Sequence, residues 1–387
     1  MAAPGAGLTL LDGGTEAYPR MLAAIDRAAR EVHLEVFIFR RDRIGRRFEA
    51  ALAAAAGRGV HVRVVLDGWG SAIDGRAIAA QLTAAGCDVR IYHRLRSLLR
   101  ARFRRDHRKL LAVDDEVAFV GGINIGDEYD GERADVAVEL RGPAVPLFWA
   151  ALGGERPGTG PLRVLLSGPG GSWALRRRYL KAIRGARDHV LLAQGYFLPD
   201  PLLLRALKRA ARRGVKVTVL VAARTDVWFT RLATRQLYRQ LQAAGVEVRE
   251  YVRSTLHAKA AVVDARTLLV GSFNLDPASL FNLEALVEAD DAAAAAQGEL
   301  WMRARLAESR PVEPQERSVR AFVANLAGQM FLTAGQWLMA WAERQRRLSR
   351  REPASGGSHE DGHSRRNAGS FGPRLRGAGR LAPQADR

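Results

Sequence analysis

Two short stretches, "DHRKLLAVD" (Asp106–Asp114) and "LHAKAAVVD" (Leu256–Asp264), each place a lysine two residues after a histidine. Lysine is rare in this chain. Of 60 basic residues only five are lysines: Lys109, Lys181, Lys208, Lys216 and Lys259. Eight histidines and five lysines scattered at random would give about one-tenth of such a pair, so two copies are a signal. The match extends further. In "HRKLLAVDDEVAFVGGINIGDEY" and "HAKAAVVDARTLLVGSFNLDPAS", Lys stands at +2, Asp at +7, Gly at +14 and Asn at +17 from the His. Every one of these positions repeats at an offset of 150 residues.

Such a set suits a phosphodiester. Two imidazoles can divide the work, one attacking phosphorus and the other, protonated, donating to the leaving oxygen. Two ammonium groups (Lys109, Lys259) and two amides (Asn124, Asn274) can hold the non-bridging oxygens. A compact ammonium can address one oxygen where a planar guanidinium spreads over several, which explains why lysine persists here. A nucleophilic histidine also needs its second ring nitrogen held by an acceptor. Asp135, eleven residues after Asn124, and Glu284, ten after Asn274, are the candidates for orienting His107 and His257. Either histidine can be the one that attacks. No carboxylate cluster suggests a metal site, so metal-independent chemistry without a cofactor is expected. His33, His61, His93 and His189 lack comparable company and are expected to be structural.

These groups need strands behind them. Residues i and i+2 of a strand face the same side, so His107 pairs with Lys109 and His257 with Lys259. Asp114 and Asp264 belong to the repeated motif but fall where the apolar run ends, better placed to brace a turn than to react. Gly122 and Ser272 close the small pairs Gly121-Gly122 and Gly271-Ser272, where backbone can approach an anion closely. The rest of each half follows the same order. "AAAAGRGVHVRVVLDG" matches "RAARRGVKVTVLVAA", and "LTAAGCDVRIY" matches "LQAAGVEVREY": helix, Gly at its C-terminus, then strand. The chain therefore reads as an α/β duplication. Its units are expected at 1–155 and 156–311, joined near "GGERPGTGP".

Composition limits the setting. At 387 residues, 48% hydrophobic and 26% charged, the chain is globular and long enough for two cores. The single cysteine, Cys87, excludes an internal disulfide and is expected to be a small buried residue. A net charge of +19 points to a polyanionic partner, either nucleic acid or an anionic membrane. The basic run "RLRSLLRARFRRDHRK" (Arg94–Lys109) would suit both. "AFVANLAGQMFLTAGQWLMAWA", 321–342, has no charged residue and is followed by "ERQRRLSRR". Residues 312–350 are thus expected to form a membrane-associating helix, and the Gly-, Ser- and Arg-rich 351–387 a disordered tail. The N-terminal segment lacks the basic start and long apolar core of a secretory signal.

On its paired His-x-Lys-x4-Asp motifs the sequence resembles the phospholipase D superfamily, and more narrowly the bacterial cardiolipin synthases, nearest their B type. "LEVFIF", "VVLDGWGS", "HRKLLAVDDEVAFVGGINIGDEY", "RRGVKVTVL" and "GSFNLDPASLFNLEA" carry the likeness, which runs from about Leu8 to Met302. Ala278 stands where some relatives keep an arginine, and the B-type pattern lacks that arginine too. The resemblance implies two mixed β-sheet lobes flanked by helices and related by a pseudo-twofold axis, with the site at their interface. It implies a peripheral enzyme on the cytoplasmic side of the cell membrane. Its partners would be phosphatidylglycerol and cardiolipin rather than nucleic acid. The implied reaction is phosphatidyl transfer through a phosphohistidine, with His107 as nucleophile and His257 as acid by analogy. A phospholipase D-type hydrolase or nuclease using the same intermediate is the alternative.

Overall fold

The computed structural model describes residues 7–92, 104–155, 159–168, 171–225 and 228–312. The apolar run 321–342, the tail 351–387, His93 and most of the basic run before Arg104 lie outside the described residues.

The first half runs β1 (Leu8–Asp12), α1 (Gly13–Arg27), β2 (Glu31–Val36), α2 (Arg43–Gly57), β3 (His61–Asp67), α3 (Gly75–Ala84) and β4 (Asp88–Tyr92). It continues through β5 (Lys109–Val113), β6 (Val117–Gly121), β7 (Arg133–Ala134), β8 (Val136–Arg141) and α4 (Val145–Leu152). The second half begins β9 (Leu162–Leu166), α5 (Trp173–Gly185), β10 (His189–Gln194), α6 (Pro201–Arg212), β11 (Lys216–Ala222), α7 (Trp228–Gln242) and β12 (Glu247–Tyr251). It ends with β13 (Thr255–Leu256), β14 (Lys259–Val263), β15 (Thr267–Gly271), β16 (Ala285–Asp290), α8 (Ala292–Ala307) and β17 (Ser309–Pro311).

The two sheets repeat strand for strand. One is ordered β1-β8-β6-β5-β2-β3-β4, the other β9-β16-β15-β14-β10-β11-β12 with β17 added at its edge. In each, parallel pairs (β2–β3–β4, β10–β11–β12) meet an antiparallel hairpin (β5–β6, β14–β15), so both sheets are mixed. The expected helix–Gly–strand turns are present. Gly59 and Gly214 take left-handed φ of 88° and 94° directly after α2 and α6, where a Cβ would be disfavoured.

Three apolar clusters stack between these layers. One lies between the first sheet and α1–α3, and another between the second sheet and α5–α7. The third joins inward-facing residues of both sheets, including Leu110, Val120, Val262 and Val287, with Phe148 of α4 and Trp301 of α8. The lobes therefore share one hydrophobic interior between their sheets. β5 and β14 are buried along their whole length, which explains why "KLLAV" and "KAAVV" read as unbroken apolar runs after the lysine. Cys87 is a buried core residue whose thiol is pushed up to about 11 by burial.

Candidate active site

Lys109 and Lys259 are the first residues of β5 and β14, and each histidine lies two positions upstream. Each lysine ammonium turns back onto its own histidine's carbonyl: Lys109 Nζ donates to His107 O at 2.6 Å, and Lys259 Nζ donates to His257 O. Both lysines and both histidines are buried.

The carboxylates pair across the halves. His107 Nδ1 lies 3.0 Å from Glu284 Oε2, and His257 Nδ1 lies 2.6 Å from Asp135 Oδ2. The backbone causes this crossing. β7 and β13 form a two-stranded parallel sheet of their own, with Leu256 opposite Ala134, and His257 N donates to Ala134 O at 2.8 Å. On the other side Asp106 bridges to Leu283, and His107 N donates to Leu283 O at 2.9 Å. Each histidine is thus tied to the residue immediately before the other half's carboxylate. With Nδ1 held by an acceptor, the Nε2 lone pair of each imidazole is left for chemistry.

Burial and charge shape the titration of these groups. Burial lowers Lys109 to about 7 and Lys259 to about 8. His257 falls to about 3, first through burial and then through Lys259, against the pull of Asp135. His107 is lowered well below its ordinary value by burial, Lys109, Lys259 and Arg105. The acids diverge. Burial pushes Glu284 up to about 8, although Lys109 opposes it. Burial would also raise Asp135, but His257 and Lys259 outweigh it and hold that carboxyl below its usual range. The negative charge of a phosphodiester among these groups would favour the protonated forms of the lysines and of His257.

The supporting residues of the two halves differ. Gly122 faces Asp135 so closely that a Cβ there would sit 2.1 Å from Asp135 Oδ1. Its counterpart Ser272 fits because its hydroxyl donates to Glu284 Oε2, while accepting from Ala285 N at 2.9 Å. Asn124 is braced: its Oδ1 accepts from Ile38 N at 3.0 Å and its Nδ2 donates to Tyr129 OH at 2.7 Å. Asn274 is buried and its Oδ1 has no protein partner.

Asp114 and Asp264 are not brought to this centre. They stand at the far ends of β5 and β14, a strand length of roughly 16 Å from the lysines. Both adopt left-handed φ, 49° and 54°, in the hairpin turns. The Asp114 carboxylate accepts N–H groups of Ala29, Arg30 and Glu31, and that of Asp264 accepts those of Arg187, Asp188 and His189. Each pins the hairpin to the strand beside it. His33 Nε2 lies 2.9 Å from Glu35 Oε1, and His189 bonds Asp188 and Glu299.

Aromatic rings enclose the imidazoles, and single-residue reasoning did not find them. Phe37 meets His107 edge-on at 4.8 Å between centroids and lies 5.0 Å from Lys109 Nζ. Tyr129 and Tyr196 flank His257 at 5.6 and 6.2 Å. Arg108, between the motif's His and Lys, faces the other way and binds Asp106 and Glu35. These residues break the 150-residue repeat, so pattern matching between halves passes over them.

The family model described as "Cardiolipin synthase, PLD-like domain" matches residues 21–145 and 179–306. Cardiolipin synthase B of Salmonella typhi is 38% identical over 309 residues, covering 72% of this chain and 75% of its own. Cardiolipin synthase B of Escherichia coli K12 is 37% identical over 316 residues with the same coverage. Among solved structures, phosphatidylserine synthase of Haemophilus influenzae superposes with a TM-score of 0.68 at 13% identity, over 90% of this chain and 96% of that one. At that identity the likeness establishes the two-lobed α/β fold alone. The family match over both halves, together with these relatives, shows that the chain belongs to the cardiolipin synthase family of phospholipase D-like proteins.

Proposed function

We propose that the protein is a cardiolipin synthase that transfers a phosphatidyl group from one phosphatidylglycerol to another. The crossed histidine–carboxylate pairs around two buried lysines carry this reading. The lobes would be residues 1–155 and 156–311. His107 Nε2 attacks phosphorus, and the bond to the glycerol headgroup breaks as His257 gives its proton to the leaving oxygen. The phosphatidyl group then rests on His107. The free hydroxyl of a second phosphatidylglycerol loses its proton to His257 and attacks, releasing His107 and forming cardiolipin. The net change is two phosphatidylglycerols to one cardiolipin and one glycerol.

The assignment of roles is supported by the unequal acids. An acid must hold a proton, and the ionised Asp135 stabilises an imidazolium on His257. A nucleophile must be unprotonated, and a neutral Glu284 beside His107 offers less reason to take one up. Lys109, Lys259 and Asn274 would receive the non-bridging oxygens. The positive charge of the site comes from these side chains, so the reading needs no metal.

A peripheral position on the cytoplasmic face of the membrane completes the proposal. No helix among the described residues is long and apolar enough to cross a bilayer. The apolar run 321–342 would lie on the lipid surface, and removing the chain after Pro311 should weaken sedimentation with anionic vesicles.

The purified chain, incubated with phosphatidylglycerol vesicles in EDTA, should release cardiolipin and glycerol in equal amounts. Activity lost in EDTA and restored by Mg²⁺ would overturn the metal-free mechanism. Phosphatidic acid in place of cardiolipin would identify a hydrolase.

A further inference from the structure

The turn between β3 and α3, "DGWGSAID" (Asp67–Asp74), is not used by the chemistry above, yet it is built onto it. Trp69 N and Gly70 N both donate to Asp67 Oδ1 at 2.9 Å, while Asp67 Oδ2 accepts from Asp106 N at 2.8 Å, next to His107. Ser71 Oγ donates to Phe37 O at 3.0 Å and accepts from Phe39 N. Gly70 lies so close that a Cβ there would meet Phe37 O at 2.2 Å. Since Phe37 packs edge-on against His107, the turn forms part of the rim of the site.

Its outer surface is apolar. Among the described residues the large hydrophobic side chains left exposed are Trp69 at 50%, Ile73 at 80% and Leu300 at 73%. Two of these three sit four residues apart on this one turn. Ser71 N bonds Asp67 O, Ala72 N bonds Trp69 O and Gly75 N bonds Ser71 O, so the turn is held coiled with Trp69 and Ile73 both exposed on it. Cations accompany them. The Arg105 guanidinium stacks 4.7 Å from the Trp69 ring, and Arg76 is exposed three residues past Ile73. The carboxylates of the turn point elsewhere: Asp67 is buried, and Asp74 accepts from Arg41 N.

An apolar tip bearing tryptophan, ringed by arginine and joined to a phosphodiester site, has the chemistry of a membrane interface. We propose that Trp69 and Ile73 insert into the surface of a bilayer containing anionic phospholipid, with Arg105 and Arg76 at the depth of the lipid phosphates. The inference rests on the reading of the site as one that takes membrane lipid. It adds that the mouth beside His107 is pressed against the bilayer, independently of the C-terminal apolar run. A substrate could then slide from the leaflet to the imidazoles without its chains crossing water.

The direct test places an environment-sensitive fluorophore at Ile73→Cys in the full chain, where Cys87 is buried and unreactive. With vesicles of phosphatidylglycerol the emission should shift to the blue and be quenched by brominated acyl chains. Vesicles of phosphatidylcholine alone should give little change. A fluorophore that stays in water while the protein sediments with the vesicles would overturn the inference, as would failure to sediment. Cardiolipin formation is measured separately on the unmodified chain. Product without insertion leaves the proposed reaction standing and removes the docking surface. Insertion without product does the reverse. As a second variant, the double substitution Trp69→Ala, Ile73→Ser should weaken partition onto phosphatidylglycerol vesicles about tenfold. Unchanged partition by a folded double variant would also overturn it.

Discussion

His107 and His257 stand at matched points of two matched lobes, yet the acids behind them are held by different means. Asp135 is short, lies against Gly122, and is kept ionised by His257 and Lys259. Glu284 is longer, takes a hydrogen bond from the Ser272 hydroxyl, and is pushed up to about 8 by burial. In the proposed reaction a duplicated site must break its own symmetry, because attack and protonation are different tasks. Here the break lies in the supporting residues, while the His-x-Lys pairs stay alike.

The largest expected effect comes from removing the imidazoles. His107→Ala and His257→Ala should both lose at least about 10³-fold of cardiolipin formation. Stopped-flow quenching with radiolabelled phosphatidylglycerol distinguishes them, since only the variant that keeps the nucleophile still forms acid-labile phosphohistidine. Labelling of His107→Ala but not of His257→Ala would reverse the assignment.

The acids come next. Asp135→Asn should lower turnover about 10² -fold, and Glu284→Gln less, because the Glu284 carboxyl is already neutral near pH 7. Equal losses would mean that the two pairs are electrostatically equivalent. Stability should separate them too. A carboxyl raised in the folded state contributes stability that is fully present below its unfolded value and is lost as pH rises through the folded one. The wild type should therefore lose melting temperature between about pH 5 and about pH 8 more steeply than Glu284→Gln does. Thermal melts at the two ends of that window check the sign.

A smaller effect tests the residues facing the acids. Ser272→Gly should reduce activity only several-fold, whereas Gly122→Ala should cost more, since its new Cβ overlaps the Asp135 carboxylate. Similar tolerance at the two positions would undo the distinction drawn between them. The least effect on chemistry is expected at the hairpins. Asp264→Asn should lower the melting temperature by several degrees while turnover stays within about twofold, because its carboxylate binds backbone and not the site.

Much of this was legible in the sequence, for physical reasons. The repeat of His107, Lys109, Asp114 and Asn124 at 150 residues disclosed two copies of one strand pair. Gly59 and Gly214 marked helix ends because few other residues tolerate their backbone. The bracing role of Asp114 and Asp264 followed from their place at the end of an apolar run. The crossing of Asp135 to His257 and Glu284 to His107 was not legible, since it depends on β7 pairing with β13 and on Asp106 bridging to Leu283, across 122 and 177 residues of chain. Nor were Phe37, Tyr129 and Tyr196, which have no repeat partner to announce them. Asn124 was expected to face substrate, and its amide is instead engaged with Ile38 and Tyr129.

The two-residue pairing of β7 with β13 also makes the enzyme's activity more fragile than its fold. The β7–β13 ribbon holds His257 in register with Asp135, and the Asp106–Leu283 bridge holds His107 in register with Glu284. A small slip of one lobe against the other would unseat both histidine–carboxylate pairs together, while the apolar interior shared by the two sheets stayed closed. In rising denaturant, catalysis should therefore fail well before the circular dichroism of either lobe changes.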